Sequence, residues 1–274
     1  MKLALLDGDS WVYRCGFAAE KTRYVVIDGD QDDGKFWLVG RYDSHKEAKE
    51  ANQGIIYSRK DYEPLENCLQ TVKTSLENTL NVLGVETYKL YISGRGNFRE
   101  SVFPEYKANR ETLGKPKYYR DIRDYLVRQW NAQIVDGMEA DDALGIEGMA
   151  NPESIIVSVD KDLDQIPGHH YNWVTGENYI VSKRDGLRFF YEQLLSGDPT
   201  DNVPGITGIG PVKARKALES CATPKECAQT VLKMYEQAFP AGTQFDELIS
   251  RNAELLWIKR TKDDGHPFWR HLES

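Results

Sequence analysis

An α/β fold is expected, with a mainly parallel sheet carrying helices on both faces. Three observations predict it. Two apolar runs, Leu3 to Leu6 and SIIVSV at 154–159, each lead into an aspartate, the pattern of strands buried on both faces. Between them Leu65, Leu69, Val72, Leu76, Leu80 and Leu83 recur every three or four residues, which is one amphipathic helix. Beyond about residue 186 helices and Gly/Pro turns take over, so the α/β part is followed by a helical one.

Taken in order, 3–6 is the first strand. Residues 24–27 (YVVI) and 36–39 (FWLV) flank DGDQDDG, whose Asp and Gly residues suit a hairpin loop. The helix over 65–83 closes at Gly84. YKLYI at 88–92 is a strand, 118–130 a helix, Ile134-Val135 a short strand and Ala140–Ala150 a helix. After the strand at 154–159, residues 171–174 and 178–181 surround a TGEN turn as a second hairpin. The alternation of strand and helix favours parallel pairing with crossovers. Domain boundaries are placed at 1–185 and 186–274.

Composition sets limits on function. The 274 residues are 40% hydrophobic and 28% charged, which excludes a disordered or fibrous chain. No run of about 18 apolar residues exists, so no transmembrane helix is expected. The N-terminus meets Asp7 after four apolar residues, too soon for a signal-peptide core. Cys15, Cys68, Cys221 and Cys227 are scattered, which argues against structural zinc and a disulfide framework and fits a reducing cytoplasm. The net charge of −8 taken whole argues against nucleic acid, so charge has to be read locally.

Four segments are acidic: LLDGD (Asp7, Asp9), EADD (Glu139, Asp141, Asp142), VDKD (Asp160, Asp162) and GDPTD (Asp198, Asp201). Two stand at the C-terminal ends of buried strands, the edge where open parallel sheets bind ligands. Each pair alone is an ordinary turn or helix cap. Together they bring up to nine carboxylates to one place, and charges that close repel unless cations neutralise them. The donors are all oxygen, which selects Mg²⁺ or Mn²⁺ over zinc. Paired ions of this kind serve phosphodiester hydrolysis.

Two elements are suited to phosphate. GITGIGPVKARKA at 205–217 places a Gly-rich hairpin (Gly208, Gly210) before a helix that starts at Pro211 and carries Lys213, Arg215 and Lys216. Residues 95–128 hold nine basic residues against five acidic ones, with Tyr106, Tyr118 and Tyr119 interleaved as base-stacking platforms would be. An exposed charged helix-loop-helix would have the same composition.

FPEYKANR (103–110), MEADDALG (138–145), VSVDKDLDQI (157–166) and GDPTDNVPGITGIGPVKARKAL (197–218) resemble the signature blocks of the 5′-nuclease superfamily. That family includes flap endonucleases, the 5′-nuclease domain of bacterial DNA polymerase I and phage 5′–3′ exonucleases. The LLDGDSWVYR start and KPKYYRDIRDYL look most like the phage enzymes. The resemblance implies a PIN-like core with a helical arch within 95–130, then a helical duplex-binding region with a helix–hairpin–helix-type motif.

It also implies roles by matched position. Asp7, Glu139, Asp141 and Asp142 would hold or share a first metal, and Asp160, Asp162, Asp198 and Asp201 a second. Lys107 and Arg110 would act on the scissile phosphate. Arg99, Tyr106, Lys115, Lys117, Gly208, Gly210, Lys213, Arg215 and Lys216 would meet DNA, with a K⁺ ion at the 205–211 hairpin. The implied activity is Mg²⁺-dependent hydrolysis at DNA 5′ ends, duplex, nick or flap, by a monomer in a bacterial or phage-infected cytoplasm without a membrane partner. RNA in RNA–DNA hybrids is a further substrate, and a ribonuclease a further reading. The short arch favours exonuclease action over long-flap cleavage.

Two departures stand out. Family members usually carry an aspartate after the strand that here is YKLYI, where this chain has Ser93-Gly94. Either Asp9 compensates, or the first metal is weakened, or the metal arrangement is altered; a DNA-structure-binding homologue with reduced catalysis is the alternative reading. The hairpin at 24–39 is an insertion to which no function is assigned.

Overall fold

The computed structural model describes residues 2–30, 35–51, 55–112, 114–240 and 244–273. In chain order the elements are β1 (Leu3–Asp7), α1 (Gly8–Ala18), β2 (Glu20–Asp30), β3 (Lys35–Tyr42), α2 (His45–Ala51), β4 (Ile55–Tyr62), α3 (Leu65–Leu83), β5 (Thr87–Ser93) and α4 (Phe98–Val102). There follow α5 (Tyr119–Trp130), β6 (Gln133–Val135), α6 (Ala140–Ala150), β7 (Ile155–Val157), β8 (Gly168–Tyr171), β9 (Asn178–Val181) and α7 (Lys183–Ser196). The remainder is β10 (Gly197–Asp198), β11 (Val203–Pro204), α8 (Pro211–Leu218), α9 (Pro224–Ala238), α10 (Phe245–Leu256) and α11 (Phe268–Glu273). No described helix is long and apolar enough to cross a membrane.

The chain divides into two compact units: Met1–Ser10, Asn78–Gly114 and Arg123–Ser274 form one, Trp11–Glu77 and Lys115–Ile122 the other. The first holds a six-stranded sheet in the order β6-β5-β1-β7-β8-β9. All pairings are parallel except β8 with β9, the second predicted hairpin. The central β1 is buried because Ala4, Leu5 and Leu6 are apolar in succession. Leu5, Tyr91 and Ile156 pack with Leu144 of α6 and with Leu163 and Ile166. A Cβ on Gly8 would sit 2.6 Å from Ile92 Cγ2 and 2.7 Å from the Tyr91 carbonyl, so only glycine lets the chain turn off β1 there.

The helical region from α7 onward has its own core around Phe190, Leu194, Val231, Tyr235 and Ile249. It lies in the same compact unit as the sheet. The physical reason lies in buried hydrogen bonds: Gln165 Nε2 donates to Gln193 Oε1 and to the Leu256 carbonyl, both at 2.7 Å. Leaving those groups unpaired would cost about 1–3 kcal/mol each, so the helices are locked to the strand loops.

The second unit contains a three-stranded antiparallel sheet, β3-β2-β4. The predicted 24–39 hairpin is present as β2 and β3; its turn, 31–34, lies outside the described residues. The third strand, β4, escaped the periodicity because IIYSRKDY is mostly exposed. Within 95–130, where the resemblance implies a short helical arch, the described residues form α4, a 3-10 turn over Ala108–Thr112 and α5.

Candidate active site

The acids gather where the parallel strands end. Asp7 closes β1, and Asp160 follows the neighbouring β7. Asp7 is buried, and its Oδ2 accepts a 2.6 Å hydrogen bond from Ser158 Oγ. The same Ser158 Oγ accepts from the Asp160 N–H at 2.9 Å, so one hydroxyl couples the two loops. Asp160 in turn caps a 3-10 turn by accepting from the Asp162 N–H. Asp198 and Asp201 come from the β10–β11 loop, and Thr200 N–H donates to Asp198 at 2.8 Å.

The carboxylates feel one another. Burial, then Asp9 and Asp160, push Asp7 up to about 7. Asp141 is raised by burial and by Asp7, Asp160 and Glu139. Asp162 is pushed up to about 8 by burial and by Asp160, Asp198 and Asp201. Asp160 is thus shared between two groups, Asp7–Glu139–Asp141 and Asp162–Asp198–Asp201. Among the described residues the second is the tightest, with one ligand atom from each acid within 4.8 Å of the others. Acids crowded together and raised by burial and by one another, with oxygen donors only, fit a Mg²⁺- or Mn²⁺-type ion.

Two basic residues reach into this cluster. Lys107 bonds Glu139 and lies 3.4 Å from Asp201, while Arg110 pairs with Asp201. Burial would raise Glu139, but Lys107 and Arg99 outweigh it and hold it below the usual carboxylate range. Asp201 stays raised because burial exceeds the pull of Lys107 and Arg110. Lys107 has a backbone φ of 58°, unusual for a side-chain-bearing residue, and its N–H donates to the Asp201 carbonyl at 3.0 Å.

Three expectations are corrected. Asp142 is not placed to hold a metal: it is fully buried and its oxygens receive Arg99 Nη1 (2.6 Å), Arg99 Nη2 (3.0 Å) and the N–H groups of Lys259 and Glu139. Arg99 is not placed to meet DNA, since it is 2% exposed and also donates to the carbonyls of Leu255 and Trp257. Tyr106 is no stacking platform: it is buried, and its hydroxyl donates to Asp201 (2.8 Å) and lies 3.2 Å from Glu139. Composition could not separate these from exposed neighbours, because a buried ion pair and a phosphate clamp use the same residue types.

Where an aspartate was expected after β5, Ser93 Oγ accepts from the Ala140 N–H at 2.9 Å and so caps α6. Gly94 has no room for a side chain, as a Cβ would lie 2.6 Å from the Val135 carbonyl. Asp9, two residues beyond the end of the neighbouring strand β1, meets Ser93 there. Its Oδ2 accepts from the Ser93 N–H at 2.9 Å, and Arg123 bridges Asp9 Oδ1 (3.3 Å) and the Ser93 carbonyl (2.6 Å). Burial raises Asp9, and Glu139 repels it. Arg123, Ser158 and Gln193, which donates to Asp162 Oδ1 at 2.8 Å, were not singled out in the sequence; each is one polar residue without a repeating pattern.

On α8, Lys213, Arg215 and Lys216 are exposed, while Ala214 and Leu218 face the core. Lys213 Nζ donates to the Gly208 carbonyl at 2.8 Å, and Arg215 approaches Glu192 at 3.4 Å. In the second unit Lys115 stands 4.4 Å from the Tyr119 ring centroid and Lys117 4.2 Å from that of Tyr62.

No protein-family model matches the chain. It is 28% identical over 283 residues to the exonuclease of Escherichia phage T7, covering 99% of this chain and 87% of that protein. The exodeoxyribonuclease of Enterobacteria phage T3 is 24% identical over 286 residues, 99% and 86%. A flap endonuclease Xni of Shewanella is 28% identical over 142 residues, 46% of this chain and 54% of its own. Among solved structures, T5 5′-exonuclease with bound zinc aligns at a TM-score of 0.59 and 16% identity, covering 93% of this chain and 89% of that one. The bacteriophage T5 D15 flap endonuclease in a pseudo-enzyme-product complex with DNA and metal ions gives 0.59 and 16%, covering 95% and 89%. The chain's homologues are phage exonucleases and flap endonucleases, and the resemblance to the 5′-nuclease superfamily holds in both sequence and fold.

Proposed function

We propose that this chain is a divalent-metal-dependent 5′–3′ exonuclease or flap endonuclease that hydrolyses DNA at 5′ ends and leaves 5′-phosphates. One observation carries the reading: Asp7, Glu139, Asp141, Asp160, Asp162, Asp198 and Asp201 come from four distant segments to one sheet edge, beside Lys107 and Arg110. The names of the full-length phage relatives support it.

In this reading Asp7, Glu139 and Asp141, with Asp160 shared, hold one ion, and Asp162, Asp198 and Asp201 hold another; Mg²⁺ is the favoured metal. Bound ions of this kind activate water and stabilise the leaving oxygen. Asp9 takes part in the first group through its place at Ser93. The chain's own residues do the rest. Lys107 and Arg110, which pair with Glu139 and Asp201, would stabilise the charge that develops on the scissile phosphate. The 205–211 hairpin and α8 grip the duplex backbone through Gly208, Gly210, Lys213, Arg215 and Lys216, within a helical region from 186 to 274. The 205–211 hairpin would also hold a K⁺ ion. Lys115 and Lys117 add phosphate contacts. We extend the same site to RNA in RNA–DNA hybrids and to action as a monomer in the cytoplasm.

The test is a 5′-labelled duplex incubated with purified protein and Mg²⁺. Labelled mono- or short oligonucleotides are expected, and none after chelation. Duplex binding without any product would favour the second reading, a DNA-structure-binding homologue, which Ser93 at the usual aspartate position motivates.

A further inference from the structure

The inserted sheet of the second unit has one face covered and one open. Tyr24 and Val26 of β2 point to α2, where Val26 and Ala48 are fully buried and Tyr24 meets the His45 ring at 5.6 Å. Alternation then assigns Lys21, Arg23, Val25 and Ile27 to the other face. Their cross-strand partners on β4 are Asp61, Arg59, Tyr57 and Ile55, and Arg41 of β3 lies opposite Val25.

Among the described residues none covers that face: Tyr57 is 52% exposed, Leu38 50% and Ile55 48%. Its two ends differ. Arg23 and Arg59 stand directly opposite each other with Arg41 one row away, while Ile27, Ile55 and Leu38 occupy the far end. Like charges directly opposite on a sheet are destabilising. Asp43 pairs with Arg23 and Asp61 with Arg59 (2.9 Å), but exposed pairs of this kind contribute about 0–1 kcal/mol and exchange readily for phosphate. The face keeps a surplus of positive charge in a chain whose total is −8.

We propose that the open face of the β3-β2-β4 sheet binds a single-stranded DNA segment, with Arg23, Arg41 and Arg59 on phosphates and bases laid over Tyr57 and the apolar end. Basic groups beside an exposed aromatic on a sheet are the common platform for unpaired nucleotides. The proposal rests on the DNA reading above and adds to it a site outside the acidic cluster.

Binding of fluorescein-labelled oligothymidylate to the full chain, without divalent ion and across a salt series, tests it. Arg41→Glu and Arg59→Glu should each weaken binding about fivefold or more and lower the salt slope by about 0.7. Tyr57→Ala should weaken it about fivefold with the slope unchanged. Arg59→Gln replaces Arg59→Glu if the latter does not melt cooperatively, and Arg59→Lys should retain the slope. Unchanged affinity and slope in these variants overturn the proposal. So does a change in sedimentation mass with unaltered oligonucleotide binding, which would make the face a contact between copies. Absence of cleavage by the wild-type protein with Mg²⁺ would instead remove the nuclease reading and leave this titration to be judged by itself.

Discussion

Asp141 and Asp142 are neighbours in sequence and opposites in environment. Asp142 is enclosed by Arg99 and two backbone N–H groups, and although burial works against its charge, Arg99 prevails and holds its pKa low. Asp141 is surrounded by Asp7, Asp160 and Glu139, and its pKa is raised. One carboxylate is neutralised by a guanidinium, the other is crowded by further carboxylates. A buried acid next to a guanidinium is architecture; a buried acid next to other acids is a cation site in waiting.

Breaking the acidic side should have the largest effect. Asp160→Ala or Asp201→Ala is expected to lower cleavage by a factor of about 10³ or more in a product-release assay, while duplex binding persists; unchanged turnover would remove these acids from catalysis. Breaking the neutralised side should act on stability instead. Arg99→Ala strands the Asp142 charge and should cost about 3–5 kcal/mol by denaturant unfolding. A loss confined to activity would undo the distinction.

Metal sharpens the contrast. Mg²⁺ at about 100 times its Kd should stabilise the protein by about 2.7 kcal/mol per ion in a thermal melt at pH 8, and should stabilise the Asp162→Ala, Asp201→Ala double variant less, since only the first acid group remains there. Without metal the sign follows from the raised acids. Asp7 and Asp162 move from 3.8 to about 7 and about 8 on folding, so the folded state holds more protons between those values. Their contribution is present at low pH and is lost as pH rises through about 7 to 8. The metal-free melting temperature should therefore fall from pH 5 to pH 8, and a rise would mean that the acids are not close neighbours. The smallest effects belong to the hairpin helix: Lys213→Ala and Arg215→Ala should each reduce the salt slope of duplex binding by about 1.

Much of this was legible beforehand. The strand at Leu3–Asp7 and the helix at 65–83 declared themselves because burial on two faces or on one stripe leaves a periodic mark. The acids were legible as a set because they follow strands and turns. What stayed hidden was which member of each set points inward. Tyr106 and Arg99 sit in a basic, aromatic stretch that looks exposed throughout, yet both are swallowed by partners from distant segments, Asp201 and Asp142. The strand at 55–62 was hidden for the opposite reason, since an edge strand with little burial needs no apolar alternation.

The meeting of Asp9 with Ser93 across 84 residues has a consequence for descent. Asp9 is buried beside Ser93 and Arg123, so a carboxylate at position 93 would stand close to it and be repelled. Acids at positions 9 and 93 are therefore expected to exclude each other. Relatives carrying an acid after the fifth strand should have a neutral residue two places beyond the first, and intermediates bearing both acids, or neither, should be scarce.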